Sequence, residues 1–248
     1  MKPTDIDIAV KTDVGKRREN NEDSNGVFHR EEPGGGTLLV VADGMGGAAG
    51  GEVASRLAVE SIRDSFLKTN DSAIEEWIQA AVEGANQTIF DRARSEPALH
   101  GMGTTCTAAL LSSGRLIIGH VGDSSAYIAE NDSISKVTND HTLAAEAERM
   151  PEYEALLHRF PRHLLTRSVG VGETLQVDVE DATDDWVAGA TLIICSDGLS
   201  NEVAESEMGA VVTQSNSAQE ICDKLIALAL TREAADNVTV LVARRNGS

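Results

Sequence analysis

Leu38-Leu39-Val40-Val41-Ala42-Asp43-Gly44-Met45-Gly46-Gly47 runs an apolar stretch straight into a carboxylate followed by glycines. Such a run reads as a buried strand, with Asp43 held at its rigid end and the glycines letting backbone carbonyls approach a ligand. Leu192-Ile193-Ile194-Cys195-Ser196-Asp197-Gly198 follows the same plan, and so does Ile117-Ile118-Gly119-His120-Val121-Gly122-Asp123. Asp236-Asn237-Val238-Thr239-Val240 inverts it, placing the Asp just before a strand. One Asp at a strand end is ordinarily a turn residue. Four of them change the balance, because hard divalent cations take oxygen ligands and a few carboxylates gathered on strand ends make a site for Mg²⁺ or Mn²⁺.

Apolar runs bounded by Gly, Asp or Asn predict strands over 6–12, 37–42, 104–111, 116–121, 125–129, 175–179, 191–195 and 238–243. Ser112, Ser113, Gly114 and Arg115 are a connection of hairpin length. Helical periodicity covers 51–67, 72–93 and 217–230, and Ser72 with Glu75 makes a capping box. The order is strands, two adjacent helices, more strands, then a late helix before a last strand. It predicts an α+β fold of antiparallel sheets with helices packed outside, and it disfavours a repeating βαβ unit. Between about 140 and 165 the pattern breaks down into a polar stretch carrying His141, His158 and His163. A mobile flap is expected there, with a short helical piece around 143–149.

With 248 residues and 41% hydrophobic content, the chain fits one large domain spanning 1–248. At this length roughly 70–75% of the unfolded surface is buried on folding, so stability requires neither disulfides nor a structural metal. The net charge of −19, from 40 acidic and 21 basic residues, disfavours nucleic acid and anionic membrane as partners. Cys106, Cys195 and Cys222 are odd in number, widely spaced and form no CxxC pair, which points to a reducing compartment, and Cys106 and Cys195, set among apolar residues, read as buried thiols. The start MKPTDIDIAV lacks a long apolar segment, and no stretch approaches the ~20 apolar residues of a membrane helix, so a cytoplasmic location is expected.

Thr12-Asp13-Val14-Gly15-Lys16-Arg17-Arg18-Glu19-Asn20-Asn21-Glu22-Asp23-Ser24 concentrates cations beside carboxylates in a turn-like stretch. Beside a divalent metal, an Arg here has a use, since its planar fork can grip a phosphoryl group at two points. His120, His141 and Arg167 are better read as scaffold, through packing, turn hydrogen bonds and an ion pair, than as catalytic groups.

Taken in order, Asp13-Val14-Gly15 with Arg18 and Asn21-Glu22-Asp23-Ser24, Val41 to Gly47, Gly103-Thr104-Thr105, Val121-Gly122-Asp123-Ser124, Asp140-His141-Thr142, Leu165 to Gly170, Cys195 to Leu199 and Asp236 to Thr239 form a set. That set resembles the bacterial branch of the metal-dependent protein serine/threonine phosphatases, the PP2C or PPM family, over nearly the whole chain. The resemblance implies a four-layer α-β-β-α sandwich of two antiparallel sheets. It implies Asp43 as the bridge between two Mn²⁺ or Mg²⁺ ions, the Gly44 carbonyl on the second, and Asp197 and Asp236 completing the first. Asp123 would join Asp197 around a third, weaker ion, Glu22 and Asp23 would orient the site or act through water, and Arg18 would hold the phosphate. The implied reaction is attack of a metal-bridging hydroxide on phosphoserine or phosphothreonine in proteins. The implied setting is a monomer that reverses a bacterial serine/threonine kinase, with phosphoproteins, the kinase included, as partners.

The chain departs from the family pattern at three places. Met45 stands where animal members often carry a His proposed as general acid, leaving a metal-bound water, His141 or another flap His to protonate the leaving serine. Ser125 stands where Arg is usual, and Ala234-Ala235 precede Asp236 where Gly is common. Two other readings stay open: a phosphatase dedicated to one phosphoserine regulator, such as an anti-sigma-factor antagonist, and a pseudophosphatase that binds phosphoproteins without hydrolysing them.

Overall fold

Along the strand Gly36–Met45, Leu38, Val40 and Ala42 enter one apolar cluster while Leu39 and Val41 enter another. Successive strand residues point to opposite faces, so a run that is apolar at every position must be covered on both sides. That requirement generates the layers. The computed structural model describes residues 6–30, 35–46, 50–68, 73–131 and 133–247. Its strands are β1 (Ile6–Asp13), β2 (Asp23–His29), β3 (Gly36–Met45), β4 (Gly103–Thr104), β5 (Cys106–Ser112), β6 (Arg115–Val121), β7 (Ser125–Glu130), β8 (Ser133–Lys136), β9 (Asp178–Asp181), β10 (Thr191–Cys195) and β11 (Val238–Arg245). The helices are α1 (Gly50–Lys68), α2 (Ile74–Ser95), α3 (Leu143–Arg149), α4 (Asp197–Ser200), α5 (Glu205–Thr213) and α6 (Ala218–Thr231).

One sheet has the order β1-β11-β10-β7-β8 and the other β2-β3-β5-β6-β9, with β4 added against β3. The strand pairs are antiparallel. Leu39, Val41, Leu116, Ile118, Leu192, Ile194 and Leu241 fill the layer between the sheets, with Trp186 among them. Outside the second sheet, α1 and α2 supply Ile62, Phe66, Ile78 and Ile89. Outside the first, α5 and α6 supply Met208, Ile221, Leu225 and Ile226. The result is the expected α-β-β-α sandwich, and Cys106, Cys195 and Cys222 are free and buried within it. Among the described residues no helix is long and apolar enough to cross a membrane.

Several elements differ from the sequence expectation, each for an identifiable reason. β2 and β8 went unpredicted because Asp-Ser-Asn-Gly and Ser-Ile-Ser-Lys are weak strand formers; both form as edge strands templated by a strong neighbour. The strand expected over 175–179 starts only at Asp178, because the ladder with β6 ends at the His120–Asp178 pair and β6 extends only one residue, Val121, beyond it. β3 continues through Asp43 to Met45, so Asp43 lies inside the ladder opposite Asp23. The hairpin loop shortens to Ser113-Gly114, both at positive φ (51° and 84°), as a two-residue turn requires. The capping box at Ser72 lies outside the described residues. The 140–165 segment holds α3 as expected. Its base is closed by the Thr142–Leu165 bridge and by the Leu143 N–H donating to the Leu164 carbonyl at 2.8 Å.

Candidate metal centre

The alternation that places Leu39 and Val41 between the sheets also places Asp43 there, at the end where the apolar layer stops. Asp23 lies beside it by register on β2. Its Oδ2 accepts from Ser196 Oγ at 2.8 Å and Thr239 Oγ1 at 2.6 Å, both from the opposite sheet, so one carboxylate oxygen joins the two sheets. Asp23 Oδ1 is buried and has no partner. Asp197 opens α4 directly after β10; its Oδ2 accepts from Asn201 Nδ2 at 3.0 Å, and its Oδ1 is likewise buried without a partner. The Asp43 and Asp197 carboxyls approach within hydrogen-bonding reach of each other.

The glycines after these two Asp residues serve close backbone approach. A Cβ on Gly44 would lie 2.1 Å from the Gly51 carbonyl oxygen, and one on Gly198 would lie 2.1 Å from that of Asn237. Only glycine lets the strand ends sit so near their neighbours.

Asp236 precedes β11, and its Oδ2 accepts from Arg18 Nη2 at 2.7 Å. Asn237 clasps the N-terminal loop: its Oδ1 accepts the Glu22 N–H at 2.8 Å, and its Nδ2 donates to the Val14 and Asn20 carbonyls at 2.9 and 3.0 Å. Glu22 gives its carbonyl to the Gly44 N–H and to Ser55 Oγ. The turn-like stretch 12–24 is therefore tied down at the site. Asp43 is fixed by its N–H donating to Thr105 Oγ1 at 2.9 Å, with Ser124 Oγ 2.7 Å beyond.

The electrostatics follow from this crowding. Burial, and then the charges of Asp23, Asp197, Asp123 and Asp236, push the Asp43 carboxyl well above the ordinary range. Burial followed by Asp197 and Asp140 raises Asp123 to about 7, burial raises Asp23 to about 6, and burial with Asp236 raises Asp197. Arg18 is the nearby cation and interacts with Asp236, Glu22 and Asp43. Such a cluster favours binding positive charge. All its donors are oxygens, which suits Mn²⁺ or Mg²⁺ over Zn²⁺. Among the described residues no three His, Cys, Asp or Glu side chains close on one point as a finished shell. A cation that keeps several of its waters needs none.

The sequence-predicted residues Arg18, Glu22, Asp23, Asp43, Gly44, Asp123, Asp197 and Asp236 thus share one corner of the sandwich. Ser196, Thr239, Asn201, Asn237 and Thr105, which hold them, went unremarked as functional residues. For Ser196, Thr239, Asn237 and Thr105 the signal was a small polar side chain buried at or beside the end of a strand's apolar run; Asn201, exposed at the end of α4, offered none. His141 does not serve as a proton donor: it is fully buried with both ring nitrogens engaged. Scaffold roles fit His120, His141 and Arg167, the last paired with Asp178 at 2.5 Å. Lys136, 2.7 Å from Asp140, also lowers Asp123 electrostatically and so brings positive charge to the corner where Ser125 has none.

A two-sheet sandwich with a cluster of carboxylates at one end is a frame that can hold hard divalent cations. The family model described as Protein phosphatase 2C matches residues 15–235, and the chain belongs to that family. It is 37% identical over 245 residues to a Listeria innocua protein named serine/threonine phosphatase stp, covering 95% of this chain and 94% of that one. The structure of the S. agalactiae serine/threonine phosphatase superposes with a TM-score of 0.86 at 30% identity, covering 98% of this chain and all of that one. The catalytic domain of the serine threonine protein phosphatase PstP, solved in complex with two manganese ions, gives 0.79 at 34% identity, covering 96% and 97% of the two chains. The chain is an enzyme of the protein phosphatase 2C class.

Proposed function

We propose that this enzyme hydrolyses phosphoserine and phosphothreonine in proteins, using Mn²⁺ or Mg²⁺ at the carboxylate corner, as a cytoplasmic monomer that reverses a bacterial serine/threonine kinase. The observation that carries this is the cluster of Asp23, Asp43, Asp123, Asp197 and Asp236, two of whose buried oxygens have no partner. In this reading Asp43, the Gly44 carbonyl, Asp197 and Asp236 would hold two cations, with Asp43 shared between them. Asp123 and Asp197 would hold a third, weaker one, and Glu22 and Asp23 would orient the others.

A bound divalent cation supplies a water of lowered pKa and positive charge beside the phosphoryl group. The protein supplies the rest. Asp236 engages one amino group of Arg18, which fixes the guanidinium and leaves its remaining N–H donors for phosphoryl oxygens. Asp23, locked by Ser196 and Thr239, keeps the sheets and the carboxylates they carry at constant separation. As the water oxygen bonds to phosphorus, the bond to the serine or threonine oxygen breaks and that oxygen takes up a proton. Met45 cannot donate it and His141 is sealed away, which leaves water or another His of the 140–165 segment, His158 or His163, as the donor.

The test is hydrolysis of p-nitrophenyl phosphate and of a phosphothreonine peptide. Both are expected to require Mn²⁺ and to be lost in Asp236→Asn. Turnover that persists in a chelator overturns the proposal.

A further inference from the structure

Beside the carboxylate corner a buried polar row crosses three strands. Register sets Thr107 on β5 opposite His120 on β6, and His120 opposite Asp178 on β9. His141, from the base of the 140–165 segment, stacks on this row with its ring 4.8 Å from that of His120. Its Nδ1 accepts the Gly122 N–H at 3.0 Å, while its own backbone N–H donates to the Gly122 carbonyl at 2.8 Å. One residue therefore holds both peptide groups flanking Gly122, and the second of these leads into Asp123. Gly122 has φ +111°, and a Cβ there would lie 2.6 Å from the Thr105 side chain, so this link is fixed in a conformation that other residues rarely adopt. Because Nδ1 is an acceptor, the ring proton sits on Nε2, which faces Asp178 Oδ2 at 3.0 Å. Arg167 holds Asp178 in turn and lies 3.9 Å from Glu146 on α3. The Thr166 N–H closes the loop by donating to the His141 carbonyl.

We infer that His141, oriented through Asp178 and Arg167, is a positioning residue that sets the Asp123 carboxylate for its cation and couples that carboxylate to the base of the 140–165 segment. The inference rests on the phosphatase reading for the role of Asp123, and on the hydrogen bonds alone for the strut. It separates two substitutions of similar size. In His141→Asn the side-chain oxygen falls near the place of Nδ1 and still accepts from Gly122, though it cannot reach Asp178. In His141→Gln the amide reaches Asp178 but leaves the buried Gly122 N–H without an acceptor.

Mn²⁺ binding measured by calorimetry on the full chain, with circular dichroism to check folding, is expected to weaken about tenfold for the weakest site in His141→Gln and to stay within about threefold of wild type in His141→Asn. Equal losses in both variants, or none in either, would overturn the inference. If His141→Gln does not fold, His141→Leu takes its place, since it too leaves the Gly122 N–H without an acceptor, and an unchanged isotherm there counts against the strut. Nitrogen-15 spectra of the metal-free protein give a readout independent of activity. His141 Nδ1 should be unprotonated and coupled to the Gly122 amide, and a protonated Nδ1 rejects the assignment. A protein with this spectrum but no Mn²⁺-dependent hydrolysis would fail the phosphatase reading while leaving the strut standing.

Discussion

The Asp43 carboxylate is faced by Asp23, Asp123, Asp197 and Asp236, so its negative charge is unfavourable until a cation offsets it. Asp43→Asn removes that charge while keeping the shape, and activity and stability should move in opposite directions. With Mn²⁺ present, hydrolysis of p-nitrophenyl phosphate is expected to fall at least about 100-fold, the usual scale for losing an electrostatic stabiliser of the transition state. Without metal at pH 8, the melting temperature by scanning calorimetry should rise by roughly 2–4 °C, the shift that about 1 kcal/mol gives a chain of this size. A lower melting temperature would mean that Asp43 is held by its neighbours and not repelled by them. Arg18 makes the complementary case. Arg18→Lys keeps the charge but loses the fork that holds Asp236 and, in the proposed function, would hold phosphate as well. Steady-state kinetics on a phosphothreonine peptide should show KM raised about tenfold with kcat changed far less, the loss of a charge-assisted hydrogen bond of 1.5–3 kcal/mol bounding the effect.

At the level of elements, the connections that deliver the carboxylates are as constrained as the strands. Gly198 in α4 packs against the Asn237 carbonyl so closely that Gly198→Ala must push the Asp236–Asn237 turn away. Urea unfolding should show a loss of about 1–3 kcal/mol, the usual cost of overpacking, and Mn²⁺ affinity should fall with it. Mn²⁺ affinity unchanged at the lower stability would show that the turn's position does not matter to the site. Much of this architecture was legible beforehand, because β3, β6, β10 and β11 are apolar at nearly every position and could only be strands covered on both faces. The four Asp residues were legible because Asp43, Asp123 and Asp197 follow the end of such a run and Asp236 comes just before the start of one. β2 and α5 were not legible. β2 borrows its conformation from β3 through the Asp23–Asp43 register, and α5 is a short helix whose apolar residues Met208 and Val212 gain meaning only beneath β8 and α6. Asn237 and Ser196 were hidden for another reason, since a polar residue's partner far along the chain leaves no local pattern.

Across the whole molecule, the site's charge should be visible as a pH dependence of stability. Carboxyls raised in the folded state, Asp23 to about 6 and Asp123 to about 7, hold protons that the unfolded chain has lost. Their contribution is therefore complete below about pH 4, the ordinary carboxyl value, and is lost as pH rises through the folded values. His120, lowered by burial to about 3, and His141, also lowered, work the other way, but their gain is complete once the unfolded imidazoles are neutral near pH 7. Metal-stripped protein should thus lose stability between about pH 7 and 8, and the stabilisation gained on adding Mn²⁺ should grow over pH 5–8. Thermal melts with and without a chelator decide this, and a Mn²⁺ increment that does not grow with pH would place the cation elsewhere. The topology of the first sheet bears on when such a protein can begin to work. β11 lies between β1 and β10 and pairs with both, and Asp236 stands two residues before its start. On the ribosome, β1 emerges early and waits with an open seam until residues 238–245 arrive to fill it. The strand that closes the seam and the last carboxylate of the corner leave the exit tunnel together, so a nascent chain stalled short of Asp236 has neither a sealed sheet nor a complete catalytic corner.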